Sequence, residues 1–68
     1  MIGDNIKFYR KKNQLTQDDI AEACNVTRQA VSKWENGESL PTVDNLYALS
    51  RLLHTSVDDI LIGEKERD

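Results

Sequence analysis

The sequence predicts an all-α domain built from five short helices. Apolar residues recur at helical spacing in five separate segments. Threonine or serine stands where four of those segments begin, and these are side chains that cap a helix start well. A length of 68 residues with 38% hydrophobic content makes one globular domain rather than a disordered chain. That length is near the lower limit for folding without disulfides or metals. So small a core supplies only about 3–5 kcal/mol, and packing against a second copy would add to it.

The first segment places Ile2, Ile6 and Tyr9 at i, i+4 and i+7, an opening helix of about ten to twelve residues. Its other side carries Lys7, Lys11 and Lys12, read either as a solvated face or as phosphate contacts. Phe8 falls off the apolar stripe and is expected as an exposed aromatic. Arg10 borders the stripe, where charge alone makes Glu35 a plausible partner for it.

The second segment starts at Thr16, with Asp19 three residues on as in a capping box and Leu15 and Ile20 placed as a hydrophobic staple. Ile20, Ala21 and Cys24 share one face, and the small Ala21 lets another helix cross closely. Asn25 tolerates the left-handed backbone of a sharp turn. Val26, Thr27 and Val31 then repeat the staple-and-cap signature, so a third helix begins at about Arg28.

That third helix sorts its side chains by direction. At about 100° per residue, Ala30, Val31 and Trp34 share one side, and Arg28, Gln29, Ser32, Lys33 and Asn36 the opposite arc. It ends at Asn36-Gly37, where glycine suits the left-handed position after a helix. One face is fit for a core. The other is a strip of hydrogen-bonding side chains, in which arginine matches the guanine edge and glutamine the adenine edge of the major groove. Two helices joined by a tight turn, the second carrying such a strip, make a helix-turn-helix spanning about residues 17–36.

Glu38-Ser39-Leu40-Pro41 reads as a loop, and Thr42 as a capping hydroxyl. Val43, Leu46, Leu49, Ser50 and Leu53 trace the inward face of a fourth helix, with Leu52 and Tyr47 off that stripe as candidates for a subunit contact. His54 has no carboxylate or thiol at metal-ligand spacing and reads as a helix-end residue. Ser56 with Asp59 resembles a second capping box, and Val57, Ile60 and Leu61 give a short fifth helix. Ile62 extends the apolar surface, either to meet a second copy or to fold back onto the core. The division expected is a domain over residues 1–62 and a polar tail, GEKERD, over 63–68.

The stretch LTQDDIAEACNVTRQAVSKWENG, followed by LPTVDNLYALSRLL and SVDDIL, resembles the XRE (lambda-repressor and Cro-like) helix-turn-helix family over roughly Ile2 to Leu61. The resemblance implies a compact five-helix, lambda-repressor-like DNA-binding domain from a phage or bacterial regulator. It implies base contacts from Thr27, Arg28, Gln29, Ser32 and Lys33, and phosphate contacts from Gln17 and Asn36, with Thr16 and Ser39 as further donors. It also implies an internal salt bridge between Arg10 and Glu35. Dimerisation through the last helix follows from the same resemblance, with Ile60, Ile62 and Leu52 as the expected interface. Gln14, Asn25 and His54 depart from the pattern by standing where glycine is common.

The charge cuts the other way. A net charge of −3 argues against a partner made of phosphates, which usually calls for a basic protein. Its distribution is uneven: residues 1–36 hold six basic and five acidic residues, against three and seven in residues 37–68. The strip lies in the half at +1, and the acid is concentrated in the half at −4. Weak non-specific affinity is therefore expected, with base contacts and dimerisation contributing much of the binding.

Other classes find less support. One histidine, no nucleophile beside a base and no glycine-rich phosphate loop argue against an enzyme, and no cofactor or metal is expected. The acids of Asp18-Asp19 and Asp58-Asp59 open helices, where negative charge suits the helix dipole. The single cysteine excludes an internal disulfide, and Cys24 is expected as a buried core thiol. No apolar run nears the ~18 residues of a membrane span, and no signal-peptide core is present, so the expected compartment is the cytoplasm. The rival reading is a protein-interaction module, an antitoxin or partner subunit that keeps the helix-turn-helix shape. The strip lacks the apolar anchors that protein hot spots use, which favours double-stranded DNA, read by a homodimer at a pseudo-palindromic operator and acting as a repressor.

Overall fold

The computed structural model describes residues 1–63. It forms five helices: α1 (Ile2–Lys12), α2 (Gln17–Cys24), α3 (Arg28–Asn36), α4 (Val43–Leu52) and α5 (Val57–Ile62). The residues expected as a polar tail lie outside the described range from 64 onward. Gly63, expected as the first residue of the tail, closes α5 and is buried.

One device starts α2 to α5. The hydroxyls of Thr16, Thr27, Thr42 and Ser56 accept the backbone N–H three residues on, at 3.0, 3.1, 3.2 and 3.0 Å. Each satisfies one of the donors a helix start leaves orphaned. Only the first completes a capping box, Thr16 N donating to Asp19 at 2.8 Å. The box expected at Ser56 is half formed, because the Asp59 carboxylate accepts from the Thr55 hydroxyl instead, at 3.1 Å.

A second device ends α1 to α4. Gln14, Asn25, Gly37 and His54 take the left-handed conformation, with φ of 59°, 57°, 79° and 54°. In each case the next N–H reaches back five residues: Leu15 to Arg10, Val26 to Ala21, Glu38 to Lys33 and Thr55 to Ser50, at 2.9–3.0 Å. This is the Schellman closure that satisfies the last carbonyls. The three residues that replace the expected glycines thus adopt a glycine conformation.

The core gathers Ile6 and Tyr9 of α1, Ile20 and Ala21 of α2, Val31 and Trp34 of α3, Leu49 and Leu53 at α4, and Ile60 of α5. Helix α1 lies across α3 and α5, while α2 contacts α3 and α4. Two polar ties reinforce the apolar packing. Asn5 Nδ2 donates to the Ile60 carbonyl at 2.7 Å, and Asn13 Nδ2 bridges the carbonyls of Tyr9 and Leu53 at 2.7 and 3.1 Å. Gly3 sits where α1 crosses the end of α3; a Cβ there would strike the Trp34 carbonyl and lie 2.8 Å from that of Glu35.

Several expectations are refined. Phe8 is half-buried against the core, its ring edge-on to Tyr9 with centroids 5.0 Å apart. Val43, expected inward, is 81% exposed at the start of α4, and the helix reaches the core through Leu46, Leu49 and Leu53 instead. Ile60, expected at a dimer contact, is fully buried in its own chain and has no surface left for a partner. Leu52 is half-buried against the same core. Ile62 does not fold back: it is 61% exposed, beside Leu61 at 41%. Cys24 is half-buried, and burial pushes its thiol pKa up, keeping it protonated and unreactive near neutral pH.

Candidate nucleic-acid interface

Helix α3 is held from behind. Val31 and Trp34 are buried, and so is Glu35, an acid whose side chain is only 2% exposed. A buried carboxylate needs a charged partner and filled lone pairs. Arg10 supplies the charge in a two-pronged pair, Nε to Oε2 at 2.7 Å and Nη2 to Oε1 at 3.0 Å. Its remaining fork atom, Nη1, donates to the Leu15 carbonyl at 3.0 Å. The network therefore ties α1, the α1–α2 turn and α3 together.

A third donor enters from α2. Gln17 Nε2 donates to Glu35 Oε1 at 3.1 Å. Gln17 is the first residue of its helix, and this bond fixes its amide beside the start of α3 while leaving one N–H and the amide oxygen unspent. Sequence reasoning placed Gln17 on the phosphate side and Glu35 inside, and missed that they touch. No local signal could have found a contact across 18 residues of sequence.

In front, the strip faces water. Thr27, Arg28, Gln29, Lys33 and Asn36 are exposed and Ser32 is half-buried. Gln17, Arg28, Gln29 and Ser32 converge on an open notch of about 270 Å³. Lys33 and Asn36 lie further along the same helix, and Ser39 is exposed in the loop beyond. Thr16 and Thr27 spend a hydroxyl lone pair on helix caps, which leaves each hydroxyl hydrogen free to donate. Asp18 stands 4.0 Å from Arg28 Nε across the two helix starts, a neighbour the sequence did not single out. Among the described residues no helix is long and apolar enough to cross a membrane, and no three His, Cys, Asp or Glu side chains group as a metal site.

Two short helices, a left-handed turn at Asn25 and an outward polar strip on the second helix define a shape that known proteins share. A helix-turn-helix family model matches residues 6–60. The chain belongs to the helix-turn-helix family. It is similar to the HTH-type transcriptional regulator DicA of Escherichia coli (strain K12), 41% identical over 66 residues that make up 97% of this chain. It is also similar to repressor protein C2 of Salmonella phage P22, 36% identical over 64 residues, 94% of this chain. The crystal structure of that P22 repressor in complex with a synthetic operator matches this helix-turn-helix fold at a TM-score of 0.87, covering 94% of this chain and 97% of that one. The chain spans 49% of DicA and 30% of the C2 repressor, so these relatives carry further sequence of their own. The lambda-repressor-like architecture of five helices is thereby shared with a repressor solved on DNA.

Proposed function

We propose that this chain is a sequence-specific reader of double-stranded DNA, the DNA-binding part of a phage- or bacterial-type regulator that acts as a repressor. The observation that carries the reading is the outward strip of α3, polar along its length and backed by a buried ion pair that fixes the helix's attitude. Likeness to a repressor solved with a synthetic operator supports it.

In this reading α3 enters the major groove by its N-terminal end. Arg28 and Gln29 make the bidentate base contacts, and Thr27, Ser32 and Lys33 supplement them. Gln17 and Asn36, helped by Thr16 and Ser39, donate to phosphates and fix register without reading sequence. Gln17 meets its phosphate with an amide already oriented by Glu35, so less side-chain freedom is lost on binding. Residues 1–63 act as the DNA-binding unit. Two copies, meeting through Ile62 and the exposed part of Leu52, set their α3 helices about one DNA turn apart, near 34 Å, on a pseudo-palindromic operator. The activity is binding rather than catalysis, and such a regulator works in the cytoplasm.

Selection of bound duplexes from a random DNA library at about physiological salt, where non-specific binding is weak, tests this directly. A palindrome with half-sites near one turn apart is the expected result. A lone half-site would remove the dimer and keep the DNA reading, and no enrichment by folded protein would overturn it.

A further inference from the structure

Two consecutive acids open α2, and the structure gives them different surroundings. Asp19 is spent on the capping box, accepting from Thr16 N at 2.8 Å. Asp18 is not; its carboxylate lies 4.0 Å from Nε of Arg28, the first residue of the helix that carries the polar strip. Both side chains are largely exposed, at 73% and 67%. An ion pair that open contributes little to folding. Its position matters more: it flanks Arg28, which lines the notch shared with Gln17, Gln29 and Ser32.

We propose that Asp18 is a specificity-determining residue, a carboxylate that stands on the Nε side of Arg28 and steers its two terminal nitrogens toward a guanine edge. The inference rests on the DNA reading above and deepens it. Arginine presents five donors in a rigid fork, and guanine O6 and N7 are matched by two of them side by side. Exposed arginine can equally turn to a phosphate, the contact that carries no sequence information. A carboxylate at Nε opposes that turn in two ways. It competes for the guanidinium, and its own charge repels a phosphate brought to the same place. In a half-chain with a balance of only +1, one acid on the approach face lowers generic affinity appreciably, which widens the ratio between a preferred site and the rest of a genome.

The test compares wild type, Asp18→Asn, Arg28→Ala and the double variant. Each is titrated against the selected duplex, the same duplex with the base pair read by Arg28 exchanged, and an unrelated duplex. For Asp18→Asn, affinity for the unrelated duplex rises about threefold or more, and discrimination at the one base pair falls about three- to tenfold. In the Arg28→Ala background the same substitution leaves discrimination unchanged. Thermal unfolding of each variant separates a folding effect, and Asp18→Ser gives a second neutral variant if asparagine unfolds the helix. Unaltered discrimination by a folded neutral variant overturns the proposal and leaves Asp18 as a helix-dipole residue. A wild type that prefers no duplex overturns the DNA reading itself, and this proposal with it.

Discussion

The two sides of α3 are made from the same nine residues and obey opposite rules. On the inner side every choice serves order: Val31 and Trp34 fill the core, and Glu35 is buried with its oxygens engaged by Arg10 and Gln17. On the outer side Arg28, Gln29, Lys33 and Asn36 stand exposed to water. The difference teaches that polarity alone does not mark the functional face. Glu35 is as charged as Arg28 or Lys33, and what separates them is whether the charge is satisfied within the chain. In the proposed reading, rigidity behind serves selectivity in front, because a helix that rocked could not hold two donors against one base edge.

The inner side breaks hardest. Glu35→Ala leaves the Arg10 guanidinium, only 12% exposed, without its counter-charge. Loss of one partner of a buried pair costs about 3–5 kcal/mol, comparable to the whole stability available to a domain of this size. Circular dichroism at 25 °C is therefore expected to show a largely unfolded Glu35→Ala chain; native helicity with an unchanged melting temperature would show the pair to be dispensable. Gly3→Ala attacks the same junction from α1. Its methyl meets backbone carbonyls, which cannot swing aside, so a loss of about 1–3 kcal/mol in denaturant unfolding is expected.

The outer side should break without unfolding. Arg28→Ala is expected to change stability by less than about 0.5 kcal/mol and to lose about 1–3 kcal/mol of affinity, chiefly at one base pair of the preferred site. An equal loss on every duplex would reduce Arg28 to a phosphate contact. At the far end of the chain, Ile62→Asp places a charge on the exposed apolar surface next to Leu61. Weakening of self-association by more than about 1 kcal/mol is expected in sedimentation equilibrium, and an unchanged profile would reject that surface.

Much of this was legible in the sequence because it is local. Thr16 with Asp19, Thr27 with Val26 and Val31, and the polar arc from Arg28 to Asn36 are patterns within a few residues, and helix boundaries follow from them. What was illegible depends on which elements meet. The period of α4 marks Val43 as inward, and only the assembled fold shows that it is left exposed while Leu46 packs on the core. Ile60 and Ile62 read alike as apolar residues near a terminus, yet one is fully buried and the other mostly exposed, since two positions along a helix turn a side chain to another face. The spacing from Thr16 singles out Asp19 as the capping acid, but nothing local shows that Asp18 stands beside Arg28.

The smallest expected effect separates the left-handed ends of α1 to α4. Gly37 has that conformation at no steric cost, and Asn25 is the side chain best able to share it. Gln14 and His54 have neither advantage, yet their φ values of 59° and 54° match that of Asn25 at 57°. Their side chains are exposed, so the strain is not offset by burial. A left-handed L-residue costs about 1–2 kcal/mol, and glycine gives back part of that through the extra freedom of the unfolded chain. Gln14→Gly and His54→Gly are therefore each expected to stabilise the domain by about 0.5–1 kcal/mol, with Asn25→Gly close to neutral, all read from denaturant midpoints. Strict additivity is not expected, because the two helix ends touch: Asn13, next to Gln14, donates to the carbonyl of Leu53, next to His54, at 3.1 Å. A loss at His54 would instead reveal a contact of the imidazole that outweighs the strain of its backbone.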